Sequence, residues 1–144
     1  MEQHRSIGQL ISIIHRSSFS YMNQEGRPLG LTHSQLVILH YILHHPINFQ
    51  HNIQEHFQMD RGTVSVIIKG LEKGEFILRQ PDPNDKRSIS AFPTEKARNI
   101  EPMLQKILQG WTNLLLKEFS PKEQFKAFEL LDRMIHNINS RVTG

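Results

Sequence analysis

Arg61, Thr63, Ser65, Val66 and Lys69 fall on one face of a helical run whose other face, Val64, Ile67, Ile68 and Leu71, repeats at i, i+3, i+4 and i+7. That spacing commits one stripe to a core and leaves the other for solvent or a ligand. Two cations, small hydroxyls and a valine methyl suit the major groove of a duplex. Ser and Thr hydrogen-bond base edges there, an apolar group meets the thymine methyl, and Arg reads guanine. By itself this face is equally an ordinary polar helix surface. Downstream, Asp82-Pro83-Asn84-Asp85-Lys86-Arg87 forms a turn-prone loop between two β-compatible runs, Phe76–Gln80 and Ser88–Phe92. Arg87 at the tip of such a hairpin can enter a narrow minor groove, whose negative potential attracts arginine. Lys86 and Arg79 add positive charge. Asp85 cannot favour phosphate, so its expected task is to orient Arg79 or Arg87 by a charge-assisted bond, the alternative being a structural salt bridge across the loop.

The remaining elements must position these two features. Residues 7–22 place Ile7, Leu10, Ile11, Ile14, Ser18 and Tyr21 or Met22 on one helical stripe, which Gly26-Arg27-Pro28-Leu29-Gly30 then breaks. Thr32 with Gln35 reads as a capping box and Leu31 with Leu36 as its hydrophobic staple, opening a helix that turns Leu36, Leu39, Ile42 and Leu43 inward until Pro46. A short helix with Asn48 as its cap carries Ile53 and Phe57. Asp60 then caps the polar-faced helix, with Met59 and Val64 as staple. Helix, turn, helix and hairpin is the winged helix-turn-helix order. After it, a helix from Thr94 to about Glu118 would span roughly 37 Å. Ser120-Pro121-Lys122-Glu123 starts another, bearing Phe125, Phe128, Leu131, Ile135 and Ile138. The expected fold is mostly α with a small β-hairpin wing. Long apolar helices beside so small a module have little of their own domain to bury against, which points to a homodimer. A compact helical core within one chain is the alternative.

Composition narrows the choices. The chain of 144 residues has no cysteine, so disulfides, thiolate metal sites and thiol redox sensing are excluded. No apolar run approaches the ~20 residues of a membrane span and no signal-peptide pattern opens the chain, so a cytoplasmic location is expected. Residues 61–98 hold eight Lys or Arg against five acids, which accounts for the whole excess of seventeen over fourteen. A local basic surplus is the footprint of a phosphate-binding surface. Catalysis lacks support: no acid, nucleophile or phosphate loop stands at a mechanistic spacing.

Taken together, Leu31-Thr32 with Gln35, Ile53 to Phe57, Met59-Asp60-Arg61-Gly62-Thr63-Val64-Ser65, Leu71-Glu72-Lys73, Phe76-Ile77-Leu78-Arg79, Asp85-Lys86-Arg87 and Thr94-Glu95-Lys96 resemble the MarR family of transcription regulators. The resemblance covers residues 30–100 and rests on the order and spacing of all of these segments. Asn84 stands where many members carry Arg, and Pro93 and Ala97 also depart from the pattern. The resemblance implies a single domain over 1–144, with a DNA-binding module at 31–98 and dimerisation helices at 1–26 and 99–144. It further implies a homodimer on a pseudo-palindromic operator of double-stranded DNA, acting as a repressor that a small-molecule effector releases. His15, Arg16, Phe19, His33 and His40 border the junction where such an effector would bind. Nine histidines leave a further possibility open. His40 and His44, one helical turn apart, could share zinc with Glu55 as third ligand, making a zinc-responsive regulator; solvated histidines are the simpler reading, with no metal or cofactor expected. A winged-helix interaction module without DNA binding is the remaining alternative.

Overall fold

The computed structural model describes residues 5–46, 48–85 and 87–142. It forms two compact units, Met1–Trp111 and Thr112–Gly144. The first contains α1 (Ile7–Gly26), a 3-10 turn at Arg27–Leu29, α2 (His33–His44), α3 (Gln50–Phe57), α4 (Arg61–Lys73) and the strands β1 (Ile77–Pro81) and β2 (Ile89–Pro93). α5 (Glu95–Leu115) begins in the first unit and ends in the second, which also holds α6 (Pro121–Val142). The fold is mostly α with a hairpin wing, as expected.

Helix starts are set by local hydrogen bonds. Ser6 caps α1 by accepting from the Gln9 N–H at 3.0 Å. At α2 the capping box is reciprocal: Thr32 Oγ1 accepts from the Gln35 N–H, and Gln35 Oε1 accepts from the Thr32 N–H. Between these helices the chain turns on Gly30, whose φ of 75° is a left-handed conformation that glycine adopts without a Cβ penalty. Ser120 and Glu123 form the same reciprocal box at α6.

The core of the first unit surrounds α2. Leu36, Ile38, Leu39 and Ile42 are buried against Ile53 of α3, Val64, Ile67, Ile68 and Leu71 of α4, and Ile77 and Ala91 of the hairpin. The stripe expected on α2 omitted Ile38 and included Leu43, which is only partly buried. α2 packs against α1, α4 and β2, so more than one side is covered and a single-stripe rule undercounts it.

Asn48 does not cap α3. Phe49 holds the cap position without a side-chain bond. The buried Asn48 amide instead donates to the carbonyls of Ile42 at 3.0 Å and His45 at 2.8 Å, so it closes the end of α2. Helix ends leave carbonyls unpaired, and a side chain can satisfy them as well as a following turn. Asn48→Ala is therefore expected to cost about 1–3 kcal/mol by stranding buried carbonyls. Urea unfolding measures this, and a loss below about 0.5 kcal/mol would show that the amide is dispensable.

The strands lie one residue further along than the apolar runs suggested, paired antiparallel with Ile77 opposite Pro93 and Pro81 opposite Ile89. A bridge from Phe49 to Ser90 and a bond from the Ala91 N–H to the Asn48 carbonyl stitch the α2–α3 connection onto β2. α5 stops at Leu115, short of the expected Glu118, which itself takes a left-handed φ of 65°. Among the described residues no helix is long and apolar enough to cross a membrane.

Candidate nucleic-acid interface

α4 presents the face the sequence predicts. Val64, Ile67, Ile68 and Leu71 are buried, while Arg61, Thr63, Val66 and Lys69 are exposed and Ser65 is partly so. Val66, a β-branched apolar side chain, is 72% exposed, which gives the helix a methyl surface facing outward. Asp60 fixes the start of α4: its carboxylate accepts from the Thr63 N–H at 2.8 Å, and hydrogen bonding from the Thr63 side chain, then from its backbone, holds the Asp60 pKa below the ordinary aspartate value. Gly70, to which the sequence assigned no role, allows α4 close to α2. A Cβ there would stand 2.5 Å from Gln35 Nε2, the side chain already engaged in the α2 capping box.

Arg79 and Asp85 are not partners. Arg79 makes a two-point pair with Glu72, Nε to Oε2 at 3.0 Å and an Nη to Oε1 at 2.9 Å, tying β1 to α4. The hydrogen bonds from Arg79 lower the Glu72 pKa. Asp85 instead shapes the wing tip: Oδ1 accepts from the Arg87 N–H at 3.0 Å and Oδ2 from the Ser88 hydroxyl at 3.3 Å. Its approach to the Arg87 side chain is long, 3.8 Å, and that side chain is 97% exposed, so the pair leaves the guanidinium available. Lys86 lies outside the described residues. Behind the wing, the Thr94 hydroxyl donates to the Glu75 carbonyl at 2.7 Å, and Lys96 Nζ donates to the Gly74 carbonyl at 2.7 Å while lying over the Phe76 ring. The Thr94-Glu95-Lys96 segment thus anchors α5 to the end of α4.

Between α3, α4 and the wing lies a cleft of about 460 Å³ lined by Gln50, His51, Gln54, Arg61, Arg87, Ser88 and Ile89. Arg61 of α4 and Arg87 of the wing, distant in sequence, share it. Sequence reasoning missed Gln50, His51 and Gln54. The legible signal was the polar edge of α3, with Gln50 and Gln54 one turn apart beside the buried Ile53.

The histidines separate into groups. His33 meets His15 edge-on, with ring centroids 6.2 Å apart, and Phe19 at 5.4 Å. Arg16 is exposed on the same helix as His15 and Phe19. His40, two turns further along α2, meets Gln105 Oε1 at 2.8 Å instead. The His40 and His44 rings lie 4.3 Å apart with their planes tilted by 49°, and the carboxylate beside His44 is Glu101, at 3.1 Å, rather than Glu55. Among the described residues no three His, Asp or Glu converge as a metal site.

Burial, then the charge of His15, holds the His33 pKa below the ordinary 6.5. As pH falls the unfolded chain binds that proton first, so stability drops from about pH 6.5 downward until the folded group also protonates. His33→Gln is expected to flatten this acid loss of melting temperature. An unchanged slope would place the titration on other histidines.

A sequence model of the MarR family matches residues 31–89. The chain is 34% identical to YybA, an uncharacterised HTH-type transcriptional regulator of Bacillus subtilis, over 89% of this chain and 85% of that one. In structure it is similar to a MarR family regulator of Listeria monocytogenes solved as a complex with 26mer DNA, at TM-score 0.89 and 28% identity, covering 95% of this chain and 91% of the other. A MarR regulator from Methanosarcina mazei Go1 superposes with TM-score 0.86 at 27% identity, covering 93% and 96%. Sequence kinship over nearly the whole length and a shared helix-and-wing arrangement agree: this chain belongs to the MarR family of transcriptional regulators.

Proposed function

We propose that this chain is a cytoplasmic, homodimeric repressor that binds a pseudo-palindromic double-stranded DNA operator and is released by a small-molecule effector. The observation that carries the DNA reading is the cleft in which Arg61 and Arg87 stand together, one on a helix sized for a major groove and one on a hairpin tip. The Listeria relative, solved with DNA, supports it. Thr63, Ser65 and Val66 then meet base edges, Arg61 and Lys69 serve the major groove and its phosphates, and Lys86 and Arg87 serve the wing. Arg79 and Asp85 act indirectly, by bracing β1 and shaping the tip. Residues 31–98 form the DNA-binding module, with dimerisation helices at 1–26 and 99–144.

Exposed apolar side chains support the dimer. Ile7, Leu10, Ile11 and Ile14 of α1 are 37–60% exposed, and Phe125, Phe128, Leu131, Ile135 and Ile138 of α6 are 48–71% exposed. For the effector, the grouping of His15, Phe19 and His33 beside Arg16 favours an aromatic or anionic molecule, with His40 a separate neighbour on α2.

A gel shift with the DNA just upstream of the coding region tests the reading, and failure to bind any duplex at low salt would sink it. Given binding, Thr63→Ala and Ser65→Ala are expected to change which bases are preferred, at roughly 1–3 kcal/mol for each base-edge hydrogen bond removed. Selection from a randomised duplex pool measures that. Preferences unchanged in both variants would remove these hydroxyls from the base-reading set.

A further inference from the structure

His51 is exposed on the first turn of α3. Its ring stacks on Phe49, with centroids 5.4 Å apart and planes 9° from parallel, and Phe49 is itself bridged to Ser90 of β2. The imidazole is thereby held beside the wing. It lines two concavities: one shared with Arg61 of α4 and Arg87 of the wing, the other with Asp82 and Asp85 of the wing and Tyr41 of α2. On α3 itself, Glu55 follows one turn later.

Resting on the reading of the cleft as a DNA groove, we propose that His51 is a proton-dependent phosphate ligand, taking up a proton as the duplex enters so that affinity rises as pH falls. Arg61 and Arg87 line the same concavity as the His51 imidazole. A phosphate arriving there meets both guanidinium groups and accepts a charge-assisted bond from the protonated imidazole. Asp82 and Asp85 line the second concavity with and without DNA, so they largely cancel from the difference. One proton per half-site comes from solvent, and binding coupled to proton uptake strengthens on acidification through the imidazole range.

Fluorescence anisotropy of full-length protein with a labelled duplex of the upstream DNA, at about pH 8 and about pH 6, tests this. Wild type is expected to gain about threefold in affinity per half-site at the lower pH, with a salt slope steeper by about 0.9 per proton taken up. His51→Gln should lose that gain, and His51→Lys should bind with the steeper slope at both pH values. Affinity independent of pH, or a gain that survives in His51→Gln, overturns the proposal and leaves the groove reading standing. Absence of binding at both pH values at low salt overturns both.

Discussion

Replacing Arg61 and Arg87 together with alanine is expected to lower operator affinity by about two orders of magnitude at physiological salt and to reduce the salt slope by about one unit for each phosphate no longer neutralised. The two side chains line one cleft from different elements, so a duplex that fits it meets both. Among the described residues neither is paired as Arg79 is with Glu72: Arg61 is exposed, and the Arg87 side chain is 97% exposed with the Asp85 carboxylate standing off at 3.8 Å. The single variants separate the grooves. Arg87→Ala should weaken all duplexes alike, or cost more on A·T-rich flanks where the narrow minor groove concentrates negative potential, whereas Arg61→Ala should also disturb base preference at the major groove. Titrations across a salt series measure both quantities. Wild-type affinity and slope in the double variant would mean that DNA does not enter this cleft.

A chain ending at Phe119 is expected to sediment as a monomer at micromolar concentration and to lose most of its operator affinity. Fully burying a large apolar side chain contributes about 1.5–3 kcal/mol, so the five residues of α6, Phe125, Phe128, Leu131, Ile135 and Ile138, which are only about half exposed, offer a gross gain of about 6 kcal/mol per protomer. Association costs about 4–15 kcal/mol before any net affinity appears. Removing α6 therefore removes the surplus, and the α1 face alone should not hold two chains together. Loss of the second winged module then forfeits the effective concentration that links two half-sites. Leu131→Glu is a gentler test, because that side chain is 52% exposed and the substitution leaves the chain's own core untouched. A stable dimer in both variants at the same concentration would place the interface elsewhere.

Local chemistry was legible in the residues alone. The capping pairs Thr32 with Gln35 and Ser120 with Glu123, the Asp60 cap and the buried stripe of α4 all depend on groups within one or two turns of chain, and each stands where its spacing placed it. The hairpin followed from apolar runs around a Pro- and Asp-rich turn, within one residue of its register. The family, too, was written in the order of those segments. Associations across the chain were not legible. Nothing in the spacing of Asn48 distinguishes a cap for the helix after it from a clasp on the helix before it, because that depends on which carbonyls the connection brings within 3 Å. Arg79 could have faced Asp85 or Glu72 until the strand register turned it toward α4. Gly70 is a propensity cost in an isolated helix and becomes a fitted position only where α2 sets Gln35 against it. The polar edge of α3 became part of a cleft only because Phe49 and β2 hold the wing beside it. Sequence spacing determines which side chains share a face of one element, since helical and strand periods are set by the backbone. Which faces then meet is decided by packing and by satisfaction of buried polar groups, and both are properties of the assembled chain.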